Sequence, residues 1–185
     1  MKVMLLNPTE RRIVQANLPL EIESVRGRNQ PVGLLYVAAA ARSVPGVTVE
    51  VLDAHALGLD AKGIERAVAA SKPDVIGLTS VTFNLPDVID CVAAVKRAHP
   101  SAYVALGGMQ PYLYPEETLA LPGVDGLFLG EAETSFPAFL RHFRDADKLR
   151  GVPGLMVRVG ARSFTQASPR WRTIWTRCRF PRKIC

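Results

Sequence analysis

Asp74-Val75-Ile76-Gly77-Leu78-Thr79-Ser80-Val81-Thr82-Phe83-Asn84-Leu85-Pro86-Asp87-Val88-Ile89 changes its period halfway along. Residues 75–78 are an uninterrupted apolar run, the pattern of a strand buried on both faces of a parallel sheet. From Leu85 the apolar positions recur at three and four residues, through Val88, Ile89, Val92 and Val95, which is the spacing of one helix face. Asn84 is the expected N-cap, and Asp87 sets a carboxylate in the first turn, where the helix dipole favours it. A strand, a hydroxyl-rich turn and a helix follow in one stretch, and that unit is the building block of an α/β sheet.

The unit repeats in both directions. Residues 3–6 are a second apolar run, closed by Asn7-Pro8, and residues 47–52, 103–106 and 125–129 make three more strands. Between them lie helix-forming stretches at 33–42, stopped by Ser43-Val44-Pro45-Gly46, and at 61–70. Pro115-Glu116-Glu117 opens a short helix that Leu121-Pro122-Gly123 ends, and a final helix carries Phe136, Phe139, Leu140 and Phe143. Residues 154–159 suit an extra edge strand. Residues 9–30 are polar and aperiodic, a loop long enough to be functional or disordered. The predicted fold is α/β, a doubly wound parallel five-stranded sheet, flavodoxin-like or Rossmann-like, of order 2-1-3-4-5, with the segment from 154 as a possible sixth strand.

Such sheets bind ligands outside the carboxyl ends of their strands, at the point where neighbouring crossovers diverge. Four loops meet there: Asn7-Pro8-Thr9, Thr79-Ser80-Val81-Thr82-Phe83, Gly107-Gly108-Met109-Gln110 and Gly130-Glu131. Ser80 and Thr82 offer hydroxyls, and two residues without Cβ let a ligand lie against backbone. The same residues can also cap a helix and make a turn without any ligand. Glu131 and Glu133, two apart at a helix start, are expected to point in different directions and to answer the helix dipole, leaving Glu131 a binding residue and not a catalyst. No G-x-G-x-x-G turn follows the first strand, which excludes a dinucleotide site. Thr79 and Ser80 stand where a phospho-receiver would need its aspartate.

At 185 residues with 48% apolar content the chain is sized for one domain with a real core. Its net charge of +6 is misleading. Residues 161–185 hold Arg162, Arg170, Arg172, Arg177, Arg179, Arg182 and Lys183 with no acid; taking these from 23 basic residues leaves 16 against 17 acidic ones in the first 160. The body is close to neutral. Three cysteines, Cys91, Cys178 and Cys185, make no disulfide framework or metal motif, and with neither a leader pattern nor an apolar span they predict a cytoplasmic protein. The segment 161–185 is read as a basic, atypical tail, disordered or translated out of frame. Binding of nucleic acid or an acidic membrane through its Arg and Trp residues is the rival reading.

Six pieces, Leu5-Leu6-Asn7-Pro8, Gln30-Pro31-Val32-Gly33-Leu34-Leu35-Tyr36, Asp53-Ala54, Asp74 to Ser80, Leu106-Gly107-Gly108 and Phe128-Leu129-Gly130-Glu131, together resemble the N-terminal cobalamin-binding domain of radical S-adenosylmethionine proteins. That group includes the anaerobic magnesium-protoporphyrin ester cyclases and several methyltransferases. The resemblance covers residues 2 to about 160. It implies a cobalamin cofactor whose corrin lies over the strand ends and whose nucleotide tail passes Ser80, Thr82, Gly107 and Gly108. It implies as partner a radical S-adenosylmethionine barrel, whose three cluster-binding cysteines are not in this sequence, so no iron-sulfur cluster is expected on this chain. The expectation is therefore a cobalamin-binding module over 1–160, a truncated N-terminal part of a methyltransferase or cyclase, not itself catalytic. The alternative is an α/β interaction or regulatory domain that no longer binds cobalamin. Asp53-Ala54-His55-Ala56-Leu57-Gly58 also fits the D-x-H-x-x-G pattern by which another cobalamin group supplies histidine to cobalt. Here the pattern follows strand two, about 4.8 Å to the side of strand one. His55 is accordingly expected in a loop beside the crevice, and no protein metal ligand is assigned.

Overall fold

The computed structural model describes residues 1–12, 30–159 and 162–165. Seven strands make one sheet: β1 (Lys2–Asn7), β2 (Thr48–Asp53), β3 (Val75–Thr79), β4 (Tyr103–Gly107), β5 (Gly126–Phe128), β6 (Leu155–Val159) and β7 (Arg162–Thr165). Their order is β2-β1-β3-β4-β5-β6-β7. The first five are parallel, in the order expected, while β6 and β7 add an antiparallel edge. β7 was not anticipated. The rest of the basic tail, 166–185, and loop residues 13–29, with Arg26 and Arg28, lie outside the described residues.

The helices are α1 (Val32–Arg42), α2 (Ala61–Ser71), α3 (Leu85–Ala98), α4 (Met109–Leu113), α5 (Pro115–Leu119), α6 (Ala132–His142) and α7 (Ala146–Leu149). Because strand side chains alternate, each parallel strand feeds two cores. Val3, Leu5, Val75, Ala105 and Phe128 face α1 and α6 through Leu34, Ala38, Phe136 and Phe139. Met4, Leu6, Ile76, Leu78, Val104, Leu106 and Leu127 face the opposite way, onto Ile64, Val68, Val88 and Val92 of α2 and α3. The chain thus leaves β1 for one face and β3 for the other. Since β1 and β3 are neighbours, their diverging crossovers open the sheet top at the seam between them.

Two helix starts show how local chemistry sets the elements. Asp60 caps α2 by accepting the Gly63 N–H at 2.7 Å, the ordinary role of an Asp at that position. Asn84 does not cap α3 as expected. A 3-10 turn, Thr82–Asn84, precedes the helix, and the Asn84 Oδ1 is turned back to accept the Val81 N–H at 3.0 Å. Asp87 is buried, not merely set in the dipole field. It accepts from the Thr9 hydroxyl at 3.1 Å and the Arg12 N–H at 2.8 Å, which ties the loop after β1 to α3. Among the described residues no helix is long and apolar enough to cross a membrane.

Candidate functional site

A cavity of about 610 Å³ opens at the carboxyl ends of β1, β3, β4 and β5 and continues down the sheet face between α1 and α6. Its depth follows from the sequence of the strands. Leu5, Gly77 and Ala105 stand side by side in register on β1, β3 and β4, and all three line the cavity. Glycine and alanine there leave room that larger residues would fill. A Cβ on Gly77 would come within 2.7 Å of the Leu5 side chain. Phe128 and Phe136 close the far wall, their rings edge to face at 5.2 Å.

Of the expected site residues, Asn7, Thr79, Phe83, Gly107, Gly108, Gly130 and Glu131 line this cavity. Pro8, Ser80, Val81, Thr82, Met109 and Gln110 do not; they lie behind the wall or outside it. Thr82 and Met109 are exposed, and Pro8 is buried beside Asn7. His55, expected beside the crevice, is partly buried and forms part of the cavity wall on the β2 side.

The glycine pair divides into two roles. A Cβ on Gly107 would meet nothing within 4 Å, so this residue leaves free space on the wall. Gly108 has φ +102, and a Cβ there would stand 2.5 Å from the Ser80 carbonyl oxygen. That close approach lets β3 and β4 knit past their ends: Ser80 N–H donates to Gly107 O at 2.8 Å and Gln110 N–H to Ser80 O at 3.1 Å. Only a glycine fits the second position.

Behind this clasp are two buried side-chain oxygens without a partner among the described residues, Ser80 Oγ and Gln110 Oε1. The Gln110 amide cannot be turned round to cure its orphan. The Thr118 hydroxyl donates its one proton to Tyr114 O, so it must accept from Gln110 Nε2, leaving Oε1 free. Buried acceptors left unmade cost about 1–3 kcal/mol each.

The electrostatics run one way. Glu10, Glu131 and Glu133 line the cavity, and no lysine or arginine does among the described residues. Glu131 and Glu133 do not diverge as expected; their carboxyls come close enough to act on each other. Burial, and then the neighbouring Glu133 carboxylate, push the Glu131 carboxyl above the ordinary range. The reason is that Glu131 is the N-cap of α6 without a side-chain cap bond, which leaves its carboxyl free to meet the one in the first turn. Such a wall receives hydrogen-bond donors.

Sequence reasoning missed the α1 side of the cavity. Gln30, Pro31, Val32, Gly33 and Leu34 line it. These residues were part of the family resemblance, but an apolar helix start carries no chemical signal of its own.

A family model for the B12 binding domain matches residues 21–140. An uncharacterized methyltransferase of Pyrococcus horikoshii is 27% identical over 157 residues, which covers 84% of this chain and 32% of that protein. The anaerobic magnesium-protoporphyrin IX monomethyl ester cyclase of Rubrivivax gelatinosus is 24% identical over 110 residues, 59% of this chain and 20% of the cyclase. The radical S-adenosylmethionine methyltransferase TsrM from Kitasatospora setae, solved with cobalamin and a [4Fe-4S] cluster bound, shares the fold at a TM-score of 0.70 and 19% identity, over 91% of this chain and 29% of that one. The chain thus spans about a third or less of each of these three proteins, and over that span it belongs to the B12-binding domain family.

Proposed function

We propose that the cavity between α1 and α6 is the cobalamin site of this chain, and that Thr79, Phe83, Gly107, Gly108, Gly130 and Glu131 contact the cofactor there. The observation that carries the assignment is the slot over Gly77 and Ala105: it reaches from the strand ends into the sheet face, deep enough for the nucleotide tail of a corrinoid. The residues present fit that group. The acceptor-rich walls, with Glu10, Glu131 and Glu133, match the primary amides around a corrin. Bound cobalamin supplies a cobalt centre able to carry a methyl group or to support radical chemistry.

What this chain's residues do is bind and orient. Glu10, Glu131 and Glu133 accept from ligand N–H groups, Phe128 and Phe136 exclude water from the slot, and the Ser80–Gly107–Gln110 clasp fixes the strand ends. We read the partner as a radical S-adenosylmethionine barrel, the setting as cytoplasmic, and the module as residues 1 to about 160. Its place is the cofactor-carrying part of a methyltransferase or cyclase. Titration of the purified protein with hydroxocobalamin, followed by gel filtration and an absorption spectrum of the protein peak, tests the assignment. Stoichiometric co-elution that is lost in Ala105→Phe, with the melting curve kept, is the expected result. Retention of the corrinoid by Ala105→Phe would remove the slot from the site.

A further inference from the structure

Asn7 sits at the end of β1 in the cavity wall, and its side-chain Nδ2 donates to Asp53 Oδ1 at 2.9 Å. Asp53 is the last residue of β2, in register with Asn7, and is not itself part of the wall. A carboxylate offers only acceptors, so the Asn7 amide has one allowed orientation: nitrogen toward Asp53, carbonyl oxygen away from it. The reverse orientation would set two oxygens against each other. Asp53 Oδ1 also accepts the Ala56 N–H at 2.9 Å, which closes the turn that brings His55 to the same wall. Asn7 is pinned further by its own carbonyl, which accepts the Ala54 N–H at 3.0 Å. No other hydrogen bond engages the Asn7 side chain among the described residues.

We infer that Asp53 is a positioning residue that forces Asn7 to present its carbonyl oxygen to the cavity, so that this wall selects a ligand edge carrying N–H donors and rejects one carrying a carboxylate. This rests on the cobalamin assignment above and adds a specificity to it: a peripheral primary amide of the corrinoid lies at Asn7, and its hydrolysed acid is refused. Glu10, Glu131 and Glu133 around the same cavity act in the same sense, since each repels a ligand carboxylate.

The test compares dissociation constants, read from absorption spectra, for hydroxocobalamin and for the isomeric monocarboxylic acids made by hydrolysing one peripheral amide. Wild-type protein is expected to bind the amide form at least tenfold more tightly than one of these acids. In Asp53→Ala the acceptor that holds the Asn7 nitrogen is gone, Asn7 is free to turn its NH2 outward, and the ratio for that acid falls toward one. Asn7→Ala removes the carbonyl oxygen while leaving the Asp53–Ala56 turn intact, and lowers the same ratio; it carries the test alone if Asp53→Ala does not fold. Asp53→Asn keeps an oxygen for both the Ala56 N–H and the Asn7 amide, so discrimination stays. A ratio unchanged in both Asp53→Ala and Asn7→Ala for every isomeric acid overturns the inference. Failure of the wild-type protein to retain any corrinoid instead overturns the cofactor assignment, so the two failures are distinct.

Discussion

Ser80 and Gly108 separate stability from binding residue by residue. The Ser80 hydroxyl is fully buried and unpaired among the described residues, so Ser80→Ala relieves the protein of an unmet polar group. Thermal melts of the unliganded protein are expected to show the alanine variant equal to or up to about 2 kcal/mol more stable than wild type. Its affinity for hydroxocobalamin should stay within about twofold of wild type, because Ser80 lies behind the cavity wall and not in its lining. A variant that loses stability would show that the Ser80 hydroxyl has a partner in the fold. Gly108 behaves in the opposite manner. Alanine there must hold φ near +102 and press on Ser80 O, at a cost of about 1–3 kcal/mol in urea unfolding, whereas Gly107→Ala projects into open space and leaves the melt nearly unchanged. These roles were only half legible in the sequence. The glycine pair announced a close approach, but which glycine faces the ligand depends on a hydrogen bond to Ser80 that no spacing encodes.

At the scale of elements, the helices on the cavity face are fixed by aromatic packing. Phe139 is fully buried, with Tyr103 at 5.2 Å, Phe128 at 5.4 Å and Phe143 at 5.3 Å between ring centroids. Phe139→Ala should cost about 3–5 kcal/mol, measured by denaturant unfolding. The start of α6 carries a pH signature. Glu131 has its affinity for protons raised in the folded state by burial and by Glu133, so the folded protein holds more protons than the unfolded chain just above pH 4.5. Stability from this group is complete below that pH and is lost as pH rises through the raised value. Glu131→Gln should flatten that part of the stability profile, by a small amount because the side chain is exposed. β1, β3 and β4 were plain in the sequence because each is an apolar run stopped by Asn-Pro, Thr-Ser or Gly-Gly. α4 was not, since five residues containing Pro111 make no period; nor was the Glu131–Glu133 contact, which depends on where the backbone enters α6.

For the whole molecule, order 2-1-3-4-5 was readable because alternating strands and helices with right-handed crossovers leave few arrangements. The edge beyond β5 was not, because β6 and β7 pair as an antiparallel ribbon whose second strand has no distinct apolar pattern. The floor of the cavity is built from Leu5, Ala105 and Phe128, which are also members of the core beneath α1 and α6. An occupant of the slot therefore occupies the protein's interior, and to seat it is to finish folding. The unoccupied molecule should breathe along β1, β3 and β4, with their amides exchanging with solvent deuterium faster than strands so central ordinarily do. Saturating ligand should slow that exchange by the factor by which it raises global stability, while β6, away from the slot, keeps its own pace. Cofactor loading is in this sense a quality check: a chain that has lost its corrinoid presents itself to proteases and chaperones as one not yet made.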